Sequence, residues 1–273
     1  MKERFENPPL LEIIAELRWD LPSVVTHPGV PTPVLPPLAQ SLESDFEGFS
    51  KQIGRLGFQH VDRMVPPGFP WMAGGPVFRY THSAQSEGVQ ETLKSSTIFQ
   101  IGPGVFTANA VPPYTSWDDF EPLVRHGVTA MLSMEFSGGR PTTFSPSLRY
   151  VDAFNADLTQ GMSLHEFLDK VMGMGIKLPD AIRSRSTARG TEVPMVHVVV
   201  PLGFGRLNLQ FMDGMVNGRR AYILDMAVHF EGFARDDVSG IMEAFSGARD
   251  VIHEVFVGLT KPIHGLMKPR GNV

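Results

Sequence analysis

The 273-residue sequence contains no cysteine. Disulfides, thiolate metal sites and cysteine nucleophiles are therefore excluded. No apolar run reaches the roughly 18 residues of a transmembrane helix, so no membrane span is expected. Basic charge is not in excess: 24 Lys and Arg stand against 29 Asp and Glu, a formal net charge of -5. A general nucleic-acid binder needs surplus Lys and Arg to displace counterions, so that class is not expected. The opening, Met1 to Pro9, lacks the basic and apolar regions of a signal peptide, and a cytoplasmic protein is the default expectation.

Motifs are missing too. The nine His form no H-x-H, H-x-x-x-H or H-E-x-x-H spacing, so no metal is expected. There is no G-x-S-x-G elbow and no phosphate-binding P-loop. The glycines at 102–104 and 203–205 sit between strands, without a helix N-terminus to hold a phosphate. No cofactor is expected.

What is present is an ordinary globular composition, 42% hydrophobic and 19% charged. The 27 Gly and 23 Pro point to many turns and short strands. Leu10 to Trp19 alternates as a strand. Leu11, Ile13, Ala15, Leu17 and Trp19 share one face, and Leu10, Glu12, Ile14, Glu16 and Arg18 form a more polar one. A Pro-rich connector over 22–37 precedes a helix at 38–55, with Leu38, Leu42, Phe46, Phe49 and Ile53 at spacings of three and four. Strands are predicted at Phe58–Val65, Pro76–His82, Gln90–Ile101 and Val105–Val111, with a turn at Gly102-Pro103-Gly104. Ser116 caps a helix, and Gly138-Gly139 closes the first half.

The second half repeats this order. It predicts a strand at Leu148–Phe154, a Ser163/Glu166 capping box before a helix at Leu164–Met172, and a polar loop at Arg183–Thr191. Strands follow at Met195–Pro201, Arg206–Asp213 and Arg220–Phe230, the last two joined at Asn217-Gly218. A long helix begins near Asp236. Its seam of Ile241, Phe245, Ala248, Ile252, Val255 and Leu259 is heptad-like and is interrupted at Pro262.

The expected fold class is α+β. Two similar strand-helix-antiparallel-strands-helix units, 1–139 and 140–273, form one integrated globule ending in the long helix. The order matches TATA-binding-protein-like and helix-grip pseudo-repeats at the level of fold analogy, which transfers no function.

Candidate functional residues fall on the polar sheet face of the second half. Arg206, Asn208 and Gln210 alternate against Leu207, Leu209 and Phe211. Asp225 and His229 oppose Tyr222, Leu224, Met226, Val228 and Phe230, and His197 joins the polar set. Asp225 with His229 is a candidate acid/base pair. Such a face also reads as the plain solvated side of an antiparallel sheet. Asp152 shares a strand face with Leu148, Tyr150 and Phe154, which reads as a buried structural carboxyl or as one with a raised pKa. Arg183, Arg185 and Arg189 form a candidate loop for an anion or an acidic partner.

Several segments together resemble a sporadically distributed prokaryotic family of proteins of about this length. They are Asn7 to Trp19, which carries the N-x-P-L-x-E-x-x-x-E-L-R-W opening, Leu148 to Asp152, Tyr222 to Asp225, and Ala248 to Thr260. The resemblance spans nearly the whole chain. It brings no activity, cofactor or catalytic residue to carry over. Its patchy distribution implies an accessory role, in defence, toxin neutralisation or a mobile element. Tyr150-Val151-Asp152 departs from the family's Y-I-N form.

The leading expectation is a non-catalytic module that binds another protein through the polar sheet face or a neighbouring loop. A homodimer through the C-terminal seam is a further expectation. The rivals are an enzyme with a site converging from Asp225, His229, His197 and Asp152, and a small-molecule carrier with an apolar pocket under the long helix.

Overall fold

A computed structural model describes residues 4–21, 24, 30–82, 89–112, 116–137, 139–185 and 193–270, with only the backbone for 89–91 and 183. The strands are β1 (Leu10–Arg18), β2 (His60–Arg63), β3 (Phe78–Thr81), β4 (Thr97–Gly102), β5 (Val105–Ala110), β6 (Ser145–Phe154), β7 (Val196–Leu202), β8 (Gly205–Val216) and β9 (Arg219–Phe230). The helices are α1 (Pro36–Gly54), α2 (Val89–Ser95), α3 (Trp117–Leu132), α4 (Ala156–Thr159), α5 (Leu164–Lys170), α6 (Asp180–Arg183), α7 (Val238–Thr260) and α8 (His264–Met267). The fold is α+β, with a large antiparallel sheet in the order β2-β3-β4-β5-β1-β6-β9-β8-β7 and a long C-terminal helix. Among the described residues no helix is long and apolar enough to cross a membrane.

Two compact units interleave along the chain. One comprises Glu12–Leu148 and His229–Arg249, the other Met1–Leu11, Arg149–Val228 and Asp250–Val273. We call them the first and second unit.

In the first unit α1 follows from its apolar spacing. Leu42, Phe46, Phe49 and Ile53 are all buried, and proline opens the helix at a position whose N–H would have no partner anyway. Phe49 meets Tyr80 of β3 and Phe106 of β5 edge-on, with ring centroids 5.3 and 5.8 Å apart. α3 starts where the Ser116 side chain accepts from the Asp119 N–H. It comes so close to the sheet at Gly127 that a Cβ there would lie 2.7 Å from both Phe99 and Phe106. One face of β1, β3, β4 and β5 is thus sealed by helices: Ile13, Ala15, Leu17, Phe99, Phe106 and Ala108 have no exposed surface.

In the second unit α5 is fixed by the complete Ser163/Glu166 capping box. Phe167 of α5 lies 5.2 Å from Phe154 and 6.1 Å from Phe211, so aromatic packing joins this helix to β6 and β8. The β8–β9 turn holds Asn217 at φ 50° and Gly218 at φ 75°, the two positive values a tight hairpin needs.

One expectation is corrected. The strand predicted over Gln90–Ile101 is a helix, α2, followed by β4 from Thr97. Gln90, Glu91, Leu93 and Lys94 are good helix formers, whereas the β-branched and aromatic run begins only at Thr97-Ile98-Phe99. The Thr97 hydroxyl donates to the Leu93 carbonyl, 2.9 Å away, at the junction. Four residues of the apolar seam of the C-terminal helix are buried. Ile241, Phe245 and Ala248 are 0% exposed and Ile252 is 1% exposed within the single chain.

Candidate functional site

One face of the first unit's sheet carries a polar row that crosses five strands. Asp62 of β2 pairs with Arg79 of β3, Arg79 with Gln100 of β4, Gln100 with Thr107 of β5, and Thr107 with Glu16 of β1. Side chains on one face of adjacent strands stand close enough to interact, so the register itself assembles the row.

Hydrogen bonds link parts of the row to its neighbours. The Thr107 hydroxyl lies 2.9 Å from Asn109 Oδ1 and 3.2 Å from Gln100 Oε1. Its single proton serves one of them at a time. Asn109 Nδ2 donates to Glu12 at 2.8 Å. Glu16 accepts two bonds from Arg18, at 2.7 and 2.9 Å, and the Ser147 hydroxyl approaches it at 3.5 Å. Arg18 donates its remaining nitrogen to the Gly74 carbonyl at 3.1 Å. The Glu16 contact holds the Arg18 pKa above its ordinary value, against the opposing effect of burial. Glu12, Glu16 and Arg18 are the polar residues of the opening motif, so that motif supplies one end of this network.

Arg79 is the exception. It is half-buried in the middle of the row, its Nε is buried, and no hydrogen-bond partner reaches that nitrogen. A desolvated guanidinium N–H without an acceptor carries a cost that a ligand carboxylate would relieve.

Beside Arg18 the surface opens into a cavity of about 570 Å³, where Asp20, Thr32, Thr143 and Ser145 present polar groups. A second cavity, of about 490 Å³, belongs to the second unit and is edged by Asn7, Asn155, Asn217 and Arg219. Neither is lined by α7, where the carrier reading placed its pocket. Among the described residues no group of three or more His, Asp or Glu is placed to hold a metal ion.

Four of the sequence-predicted residues do come together in the second unit. His197 pairs across strands with Gln210, and Arg206 and Asn208 pair with Pro201 and Val199. His197 is exposed, and Asn208 is half-buried with an Oδ1 that lacks a hydrogen-bond partner. Asp225 sits elsewhere in that unit, under Arg149: Arg149 Nε donates to Oδ1 at 2.7 Å, and Nη2 bonds Oδ2. His229 belongs to the first unit. Arg185 is exposed just beyond α6, the Arg183 side chain is not described, and Arg189 lies outside the described residues.

Asp152 is 3% exposed, and its Oδ2 has no hydrogen-bond partner. Burial, reinforced by the charge of Asp225, pushes its pKa up to about 8. At neutral pH it is therefore a neutral acid within the core.

Arg79, Gln100, Thr107, Asn109 and Ser147 were not found by sequence reasoning. Part of the signal was there, because Thr107 and Asn109 alternate with Phe106, Ala108 and Ala110. The row needs the registers of four strand pairs, which no local pattern supplies. No family model, no curated protein and no solved structure matches this chain.

Proposed function

We propose that the protein is a non-catalytic binding module whose polar sheet face engages another protein. The observation that carries this reading is Arg79, a half-buried guanidinium with an unsatisfied Nε in the middle of the polar row. Around it stand amide and hydroxyl groups that can exchange hydrogen bonds with a partner. The partner surface therefore presents a carboxylate to Arg79, flanked by hydrogen-bonding groups. Charge reversal at Arg79 tests this: Arg79→Glu should abolish partner capture while leaving the melting temperature unchanged. Capture that survives the reversal would sink it.

The accessory role implied by the family resemblance, in defence, toxin neutralisation or a mobile element of a prokaryote, fits such a module, as does a cytoplasmic location. The pseudo-repeat is part of the same proposal. Read outward from β1 the strands run β1-β5-β4-β3-β2, and outward from β6 they run β6-β9-β8-β7. In each half the first strand lies beside the last and the second lies outermost. This symmetry supports a duplicated unit of the TATA-binding-protein or helix-grip type.

An enzymatic reading takes its support from Asp152, a buried carboxyl that keeps its proton near neutral pH. It needs a substrate path to that side chain.

A further inference from the structure

The sheet ends in two unlike edges. β2 has only four residues, and His60, Asp62 and Arg63 place charge or polarity along it. Short length and charge are the usual guards against edge-to-edge pairing. β7 has seven residues, VHVVVPL, with no Asp, Glu, Lys or Arg. Val198, Val199 and Val200 are 37%, 51% and 38% exposed. Of the 15 exposed large hydrophobic residues in the described chain, seven lie between Val193 and Met215. Neither charge nor a covering strand guards this edge among the described residues.

The direction of the free backbone groups follows from the hairpin. β7 and β8 close on the pair Leu202–Gly205 across two residues, Gly203 and Phe204. A two-residue loop closes on a hydrogen-bonded pair, and such pairs alternate along an antiparallel ladder. Val200, Val198 and Val196 thus bond to β8, while Pro201, Val199 and His197 turn their backbone groups outward. Pro201 agrees with this, because its missing N–H falls where β8 needs no donor.

We propose that β7 pairs antiparallel with β7 of a second copy about a two-fold axis at Val199. The inference is independent of the polar-face reading. On the axis the two Val199 residues exchange both main-chain bonds. His197 on each side donates to the second copy's Pro201 carbonyl, for about four inter-strand bonds in all. The side chains suit this register. On one face Val198 meets the second copy's Val200, which extends the buried row of Leu207 and Leu209. On the other, Val199 meets Val199 between two Asn208 residues. With no Asp, Glu, Lys or Arg on the strand, no permanent like charges are brought together. A foreign strand would need only general apolar character, whereas the second copy satisfies register, side-chain rows and charge together. The contact is smaller than a standard interface of about 1,600 Å², so the dimer is weak and exchanges at micromolar concentrations.

The absence of cysteine gives a direct test. Analytical ultracentrifugation should show the average mass rising from 30.1 kDa toward twice that value as concentration increases from about 1 to about 100 µM. Val199→Lys should stay monomeric with an unchanged circular-dichroism melt. Val199→Cys should form a disulfide-linked dimer in air, while Val61→Cys on the β2 edge should not. The proposal is overturned by a wild-type monomer at the highest concentration together with Val199→Cys that links no faster than Val61→Cys. A dimer insensitive to Val199→Lys would also overturn it. So would a monomer whose β7 edge carries a strand of another protein, released by Val199→Lys. None of these results touches the Arg79 reading, which Arg79→Glu tests by itself.

Discussion

Arg149 holds both carboxylate oxygens of Asp225, which leaves Asp225 only 13% exposed at its side chain while Arg149 stays 47% exposed. The pair fixes a negative charge in the second unit, and that charge is one of the two reasons Asp152 keeps its proton. Removing Arg149 leaves Asp225 desolvated without a counter-ion. Arg149→Ala should therefore cost on the order of 1–2 kcal/mol, and Asp225→Asn should recover part of that loss. A double-mutant cycle in urea checks the coupling. Additive single effects would mean that the pair contributes nothing.

The Asp152 carboxyl predicts a pH dependence of stability. Its pKa is about 8 in the folded protein against 3.8 for the free group. The folded state therefore holds a proton that the unfolded chain has released. This stability is fully present below about pH 4 and is lost as pH rises through about 8. Asp152→Asn cannot ionise, so it should gain on the wild type as pH rises. The gain should be on the order of 5 kcal/mol at pH 8 and under about 1 kcal/mol near pH 4. Denaturant midpoints at the two pH values decide it. A difference between the proteins that does not change with pH would contradict the protonated assignment.

Gly127 sets two effects against each other. Alanine in a helix interior is favoured over glycine by about 1 kcal/mol. Here the added Cβ would meet Phe99 and Phe106 at 2.7 Å, and both rings are fully buried. Overpacking of this kind costs about 1–3 kcal/mol. We expect Gly127→Ala to lower the melting temperature. An increase would show that the rings move away at little cost.

The row itself predicts a division between stability and binding. Thr107 is 6% exposed and supplies the proton shared between Gln100 and Asn109. Thr107→Val leaves two amide oxygens without that donor and should destabilise by about 1–2 kcal/mol. Arg79→Met removes a buried N–H that has no acceptor, and should be neutral or stabilising by up to about 1 kcal/mol. Chemical denaturation of the two variants side by side checks the opposite signs.

Local chemistry carried most of the architecture into the sequence. The capping box at Ser163, the Asn217-Gly218 turn and the period-two alternation of Leu10 to Trp19 depend on neighbours within a few residues, and each marks its element. Gln90–Ile101 misled because apolar and polar residues alternate loosely there while helix propensity favours 89–95. The candidate site was only partly legible. Glu12, Glu16 and Arg18 stood out as the polar face of one strand. Their partners Thr107 and Asn109 lie about ninety residues away, and only the β1–β5 register joins them. Arg79 carried no signal at all, since an arginine in a short strand is unremarkable until its Nε is seen to lack an acceptor. Asp152 was visible by its apolar company, but the like charge of Asp225 that helps hold its proton sits on another strand.

The central claim is that the polar sheet face around Arg79 is where a partner binds. The most direct measurement compares wild type and Arg79→Glu as bait in the native host, with the melting temperatures of both recorded. The account predicts a specific partner that wild type captures, that the equally stable variant loses, and that presents a carboxylate at the contact. Equal capture by both proteins, or a loss that merely follows unfolding of the variant, would contradict it.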